Sequence, residues 1–241
     1  MNKLILCEGA TDAYLLSYYL GKVSGWIYAK KGPCNLDIKP TNGTETANWY
    51  RKDGDFLLIC AVGGKDNFKR FFENKIKLPM INADAFEKIA VITDRDDREI
   101  ESIELSVKNS LSSVNAEIIN NSWQTGTYIN SYGIEKQLQI LLTIIPEEQQ
   151  GALETIMLSA ISENPYDANI VEKAGRFSHD MRTEAEKYIS NNRLELKAHL
   201  GITWAVQYPE KVFSLIDEQI KNVPWESSDV LTKCFNKLIE I

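Results

Sequence analysis

Carboxylate side chains follow two short apolar runs of this chain, and they are its best candidates for chemistry. Glu8 comes directly after the run Leu4–Cys7 and is followed by Asp12, while Asp94 and Asp96 end a second run. In open α/β folds the residues at the carboxyl ends of the strands form the binding sites. Four acids at one edge would repel one another unless a divalent cation held them together. The spacing therefore predicts a cation site.

Helix capping is the alternative explanation for some of these acids. An Asp after a strand is often only an N-cap, and this reading applies to Asp12 and to Asp97 when each is taken singly. Asp94 and Asp96 together serve no capping purpose, since they lie two residues apart after an apolar strand. Glu8 precedes a glycine and has no helix to cap. We therefore favour a binding role for Glu8, Asp94 and Asp96.

The elements that would position these acids alternate between strands and helices. Apolar runs predict buried strands, and 3.6-residue periodicity after each run predicts a helix. A segment rich in Gly, Pro, Asn and Thr at 23–55 predicts an insertion of short strands around turns. The predicted strands are Lys3–Cys7, Phe56–Val62, Lys88–Thr93 and Ala116–Asn120, and the predicted helices are Thr11–Leu20, Asp66–Lys77 and Asp97–Leu111.

Beyond Tyr132 the pattern predicts helices only. These are Glu135–Ile144, Glu147–Ser162, Met181–Ile189, Leu194–Val206, Lys211–Lys221 and Ser227–Ile239. The order of elements predicts an α/β domain at 1–131, with a mainly parallel, Rossmann-like sheet flanked by helices, and an all-helical C-terminal subdomain at 132–241.

Composition restricts the classes of function. The 241 residues are 44% apolar and 25% charged, as in ordinary globular proteins, and the net charge of −7 argues against coating nucleic acid by bulk electrostatics. Four cysteines without a C-x-x-C spacing and two histidines argue against a zinc site. We expect reduced thiols and a cytoplasmic protein, and neither a signal peptide nor a membrane span is predicted.

Three motifs in order resemble the Toprim signature. They are Glu8-Gly9-x-x-Asp12 after the first strand, Gly63-Gly64 after a middle strand, and Asp94-x-Asp96 after a later strand. This signature is shared by topoisomerases, bacterial primases, the ribosomal RNA maturase of Gram-positive bacteria, recombination mediators and OLD-family nucleases. The resemblance spans roughly residues 1–130. The Gly63-Gly64 version and the helical tail look most like standalone Toprim proteins related to the OLD nucleases.

The resemblance implies metal-assisted phosphoryl transfer. Asp94 and Asp96 would hold Mg²⁺ or Mn²⁺, Glu8 would serve as a ligand or general base, and Asp12 would complete the first site. Glu135, expected to open the helix after the fourth strand, is the candidate for the extra acid of OLD-type nucleases. These nucleases also take a lysine from beyond the Toprim core to stabilise transition-state charge. Lys197 is the candidate for that lysine.

Glycines and cations in the middle motif could contact phosphate. Gly63 and Gly64 allow close backbone approach at a helix start, although a simple tight turn is about as good an explanation. Lys65 is a candidate catalytic cation, and Lys69 and Arg70 are candidate nucleic-acid contacts. A merely solvated helix face explains the same charges.

Two classes of function are compatible with these residues. The first is a metal-dependent nuclease acting on DNA or RNA, in phage defence or nucleic-acid processing. The second is a non-catalytic Toprim module that binds a metal, nucleic acid or a protein. The chain has no P-loop motif, so an ATPase would be a separate partner, and a homo-oligomer is a further expectation. Primase-like nucleotidyl transfer is a weaker third hypothesis, and a topoisomerase is disfavoured because no tyrosine-bearing domain is recognisable.

Overall fold

A seven-stranded mixed sheet forms the centre of the computed structural model, which describes residues 1–34 and 36–241. Asn35, inside the predicted insertion, lies outside the described residues. The strand order is β2-β3-β4-β1-β5-β7-β6. The strands are β1 (Asn2–Cys7), β2 (Ile27–Ala29), β3 (Thr46–Lys52), β4 (Asp55–Ala61), β5 (Lys88–Asp94), β6 (Gln124–Ile129) and β7 (Glu135–Ile145).

The four central strands β4, β1, β5 and β7 are parallel. Strands β3 and β6 pair antiparallel with β4 and β7, and β2 pairs antiparallel with β3. Leu4, Ile5 and Leu6 of β1 are fully buried, so both faces of the sheet are covered. Two apolar cores result, one on each face. The fold is therefore α/β with a mainly parallel sheet, as the sequence predicts.

Helices cover both faces of the sheet and make up most of the chain after it. They are α1 (Ala10–Ser24), α2 (Phe68–Phe71), α3 (Lys77–Ala83), α4 (Ile100–Ser110), α5 (Leu153–Ile161), α6 (Pro165–Glu184), α7 (Asn192–Gln207), α8 (Ile216–Ile220) and α9 (Asp229–Cys234). A 3₁₀ turn at Lys65–Asn67 precedes α2, and a π-helical turn at Phe72–Ile76 joins α2 to α3. No helix of the described residues is long and apolar enough to cross a membrane.

The first half of the chain follows the sequence predictions closely. The four predicted strands include β1, β4 and β5, and the insertion at 23–55 contains β2 and β3. Asp97 was expected to begin a helix, but α4 begins at Ile100. The predicted strand Ala116–Asn120 makes only isolated bridges, and β6 follows it instead.

The predicted helix at Glu135–Ile144 is wrong, because these residues form β7. The run from Leu138 to Ile145 is apolar and almost entirely buried, and a short apolar run fits a buried strand as well as a helix. Strand β7 lies between β5 and β6, so the sheet continues beyond the predicted domain boundary at 131/132. The helical region begins at α5.

The C-terminal helices agree in type and differ in position. Helix α7 confirms the helix predicted at Leu194–Val206, and α5 lies inside the one predicted at Glu147–Ser162. Helix α6 is 20 residues long and begins well before the predicted Met181–Ile189. Its N-cap Asn164, followed by a proline, is a regular start signal.

Candidate functional site

The register of the parallel sheet places Glu8 beside the end of β5. Cys7, the last residue of β1, pairs with Ile92, so the next residue of the chain, Glu8, meets Thr93 and Asp94. Strand β5 pairs in turn with β7, with Asp94 opposite Ile145. Both acids therefore lie at the carboxyl edge of the sheet, as the sequence predicts.

Glu8 is fixed at this edge by its own hydrogen bonds. Its Oε1 accepts the Thr93 hydroxyl at 2.7 Å and the Asp94 backbone N–H at 3.0 Å. The side chain is 1% exposed, and its Oε2 has no hydrogen-bond partner. One oxygen is thus used to position the carboxylate, and the other is directed at the site.

Asp94 joins the sheet to the helical region. Its Oδ1 accepts the backbone N–H of Leu153 at 2.9 Å, at the first residue of α5. A carboxylate at a helix N-terminus is stabilised by the helix dipole and by the free N–H groups there. Its Oδ2 faces Arg193 at 3.4 Å. The pKa of Asp94 is raised to about 9 by burial and by the charges of Asp12 and Glu8.

Asp12 is the third buried acid of this cluster. It lies in the first turn of α1, and its Oδ2 accepts the backbone N–H of Gly9 at 3.0 Å. Gly9 is the N-cap and Asp12 completes the cap from the first turn, so the capping explanation for Asp12 is partly correct. Its Oδ1 has no hydrogen-bond partner. Burial and the charge of Glu8 raise the pKa of Asp12 to about 7.

The charge of this acid cluster (Glu8, Asp12 and Asp94) is opposed by Arg193 near the start of α7. One nitrogen, Nη2, lies 3.5 Å from Glu8 Oε2 and 3.4 Å from Asp94 Oδ2. The acids also raise the pKa of Arg193, against the opposing effect of its burial. A single guanidinium thus bridges the two most buried carboxylates.

A second ion pair borders the cluster. Glu154, in the first turn of α5, is 5% exposed and pairs with Lys197 Nζ at 2.5 Å. Its charge contributes to the raised pKa of both Asp12 and Asp94, so Glu154 faces the cluster. Lys197 lies four residues after Arg193, on the same face of α7. The structure therefore brings Lys197 to the site, as the resemblance implies.

Asp96 and Lys65 lie further out at the same edge. Lys65 Nζ contacts Asp96 Oδ2 at 2.6 Å, and Asp96 has a positive φ of 52° that turns its side chain away from the strand. Both residues line a cleft of about 780 Å³ that extends to Arg193, Arg182 and Asn192. Asp96 was expected to bind metal together with Asp94, whereas here Lys65 neutralises it.

The Gly63-Gly64 turn supports Glu8 from behind. Both backbone N–H groups donate to the Glu8 carbonyl, at 3.0 and 2.8 Å. Both residues have positive φ, and a Cβ on Gly63 would lie 2.5 Å from the Thr44 hydroxyl. These N–H groups are occupied, which favours the tight-turn explanation, and a phosphate contact at Gly63 and Gly64 stays a prediction.

Three other predicted residues lie away from the cluster. Arg70 faces Glu45 at 4.0 Å and lines a separate cavity of about 480 Å³. Lys69 is exposed near Glu73. Glu135 is exposed at the opposite end of β7, ten residues and roughly 33 Å from the edge that carries the acids. The metal role of Glu135 is therefore wrong, because the segment is a strand and not a helix.

The donor set of the cluster fits a hard divalent cation. Mg²⁺ and Mn²⁺ prefer carboxylate oxygens, and Glu8 Oε2 and Asp12 Oδ1 are buried oxygens without a hydrogen-bond partner. Within the part of the chain that the structure describes, no three His, Cys, Asp or Glu side chains converge as a formed metal site. The guanidinium of Arg193 lies between two of the acids instead.

Sequence reasoning missed Arg193 and Glu154. Both come from helices whose docking on the sheet cannot be read from a single sequence. One available signal is the spacing of Arg193 and Lys197 at i and i+4. An arginine in the first turn of a helix is also unfavourable for the helix dipole, so it indicates a partner elsewhere.

Comparison with known proteins identifies the family. Residues 2–239 match the family model described as "Protein of unknown function (DUF3226)". The chain belongs to this family. No curated protein sequence matches it significantly. Among solved structures, the DUF3226 chain is similar to a hypothetical protein from Pyrococcus horikoshii OT3, with 16% identity, a TM-score of 0.48, and coverage of 92% of this chain and 96% of that one.

Proposed function

We propose that this protein is a divalent-cation-dependent phosphodiesterase that acts on nucleic acid through a Toprim-like site related to that of the OLD nucleases. The observation that carries the proposal is the buried acid cluster at the carboxyl edge of the sheet, with two unpartnered carboxylate oxygens and with cationic side chains around it. Anionic oxygens suit a cation, and the surrounding cations suit a phosphodiester.

The acids would hold the cation, and the other residues would hold the substrate. Glu8, Asp12 and Asp94 supply the oxygen ligands. A bound Mg²⁺ or Mn²⁺ would neutralise charge on the phosphoryl group and lower the pKa of a bound water. Lys197 and Lys65 lie on the two sides of the acids and would contact non-bridging phosphate oxygens.

The cleft is consistent with a nucleic-acid backbone as substrate. It is open, has a volume of about 780 Å³, and carries Lys65, Arg182 and Arg193 among polar residues. These cations are paired with acids in the structure, so a phosphate backbone would contact them by replacing those acids as their partners. A cytoplasmic location belongs to the same proposal and agrees with the buried free thiols of Cys7 and Cys60.

The test is cleavage of labelled single-stranded DNA, double-stranded DNA and RNA with Mg²⁺ or Mn²⁺. The variant is Asp94→Asn, and the matched control is Asp97→Asn, which removes the same charge from an exposed neighbour. We expect metal-dependent cleavage by the wild type and by Asp97→Asn, and at least a hundredfold loss in Asp94→Asn. Equal activity of the two variants would contradict the proposal.

A non-catalytic binding module is the second candidate. The ion pairs of Arg193 favour it, since they neutralise the acids without any cation. Tight nucleic-acid binding without cleavage under every metal condition would support this candidate over the nuclease.

A further inference from the structure

Arg193 holds the position that the cation of the proposed site would need. Its Nη2 lies within 3.5 Å of both Glu8 Oε2 and Asp94 Oδ2. These carboxylates are 1% and 3% exposed, whereas the arginine side chain is 42% exposed. The acids are thus fixed in the protein, and the cationic partner is the side with room to move.

The fixed part of the site is held independently of Arg193. Glu8 Oε1 is bound by Thr93 and Asp94, and Asp94 Oδ1 is bound by the N-terminus of α5. The remaining oxygens face Arg193: Glu8 Oε2 has no hydrogen-bond partner, and Asp94 Oδ2 accepts from Arg193. Removing the guanidinium therefore leaves the carboxylates in place with their free oxygens converging.

The arginine has a second environment within reach. It lines the cleft together with Lys65 and Arg182, where the proposed substrate backbone would lie. A planar guanidinium binds a phosphate through two parallel hydrogen bonds, as it binds a carboxylate. Arg193 can therefore exchange one anionic partner for another of the same geometry.

We propose that Arg193 is an internal competitor of the cation, and that it becomes a phosphate-binding residue when a cation displaces it from Glu8 and Asp94. This inference rests on the proposed function, because it names a partner exchange at the same site. It predicts ordered binding, with the cation first and the nucleic acid second. Because Arg193 lies near the start of α7, the position of this helix would also determine whether the site is free to bind a cation.

The first test measures the affinity for Mn²⁺ by calorimetry in the absence of nucleic acid. A competitor that fills the site most of the time reduces apparent affinity by the fraction of time that the site is free. Arg193→Gln should therefore bind Mn²⁺ about ten times more tightly or better. Arg193→Lys, which keeps the charge, should stay near the wild type.

The matched control is Arg182→Gln. Arg182 lines the same cleft but pairs with Glu195 at 2.9 Å and with Asn192 at 2.6 Å. Its removal should leave the Mn²⁺ affinity unchanged. Unchanged or weaker Mn²⁺ binding by a folded Arg193→Gln would overturn the inference, and so would equal tightening in both variants.

The second test measures the binding of a labelled oligonucleotide by fluorescence anisotropy, with Ca²⁺ present. Arg193→Gln should bind the oligonucleotide at least severalfold more weakly than the wild type, although it binds cations more tightly. Equal oligonucleotide affinity would overturn the partner exchange.

Tighter Mn²⁺ binding without any cleavage by the wild type would remove the nuclease proposal but keep the competition. Cleavage by the wild type without tighter Mn²⁺ binding in Arg193→Gln would keep the nuclease proposal but remove the competition.

Discussion

The free energy of unfolding should fall as the pH rises from 5 to 8. The pKa values of Asp12 and Asp94 are raised to about 7 and about 9, chiefly by burial and then by neighbouring carboxylates. In the unfolded chain both groups titrate near pH ~3.9. The folded protein therefore keeps protons that the unfolded chain has lost. The stabilisation is complete below pH ~4 and is lost as the pH rises through the folded-state values.

The other groups whose pKa is clearly shifted titrate mainly outside the window from pH 5 to 8. The carboxyl groups with a lowered pKa, among them Glu45 and Asp55, lose their protons below pH 5 in both states. The buried thiols of Cys7 and Cys60 have raised pKa values and ionise at higher pH. The difference between the pH profiles of the wild type and of Asp94→Asn assigns the contribution of the acid cluster.

The magnitude follows from linkage. Each carboxyl group contributes up to about 1.4 kcal/mol per pH unit while only the folded state holds its proton. Taken separately, pKa values of about 7 and about 9 would give a loss of at most about 7 kcal/mol between pH 5 and 8. Because the two sites are coupled, we expect a smaller combined loss of about 2–4 kcal/mol. For a chain of this size that corresponds to a fall in Tm of roughly 5–15 °C.

Scanning calorimetry at constant ionic strength with a chelator measures this fall, and Asp94→Asn tests its origin. The amide still accepts the Leu153 N–H, so the fold should be retained and the Tm at pH 8 should rise by several degrees. Asp97→Asn is the matched control and should leave the pH profile unchanged. A wild-type Tm that is constant or rises from pH 5 to 8 would refute the reasoning, as would equal effects of the two variants.

Three further substitutions test separate parts of the account. Glu8→Gln should keep its bonds to β5 and its fold but abolish the rise in Tm on adding Mn²⁺; an unchanged rise would remove Glu8 from the site. Lys197→Met should abolish cleavage. It also leaves Glu154 buried without its partner, and because the lysine is half-exposed we expect the free energy of unfolding to fall by only about 1 kcal/mol. Adding Glu154→Gln should restore stability but not cleavage, and restored cleavage would contradict the role of the lysine. Gly63→Ala should lower the free energy of unfolding by about 1–3 kcal/mol because of its positive φ and the clash described above, measured by urea denaturation. Gly43→Ala, where a Cβ meets nothing within 4 Å, should have little effect, and equal losses in both would contradict the strain argument.

The edge of the sheet could be predicted from the sequence because strands and their ends are local features. Glu8 and Asp94 follow apolar runs whose length and composition indicate buried strands, and parallel pairing then places them together. The same reasoning failed for Glu135, since the apolar run after it fits either kind of element and the flanking Gly133 and Pro146, which favour a short strand, were not weighed. Because β7 was predicted as a helix, the predicted α/β region also ended too early, at residue 131.

The helical half of the site depends on tertiary packing. Arg193 and Lys197 reach the acids because α7 docks against α5. Glu154 faces the acids because the N-terminus of α5 is bound by Asp94. No local pattern encodes such docking angles. The structure places Lys197 beside Glu154, and its catalytic role, which the family resemblance implied, stays a prediction.

The central claim is that Glu8, Asp12 and Asp94 form a divalent-cation site, and anomalous diffraction from a crystal soaked in Mn²⁺ tests it most directly. The account predicts an anomalous peak among Glu8, Asp12 and Asp94, with the Arg193 side chain turned into the cleft. A peak elsewhere, or no peak while Arg193 stays between the two carboxylates at saturating Mn²⁺, would contradict it.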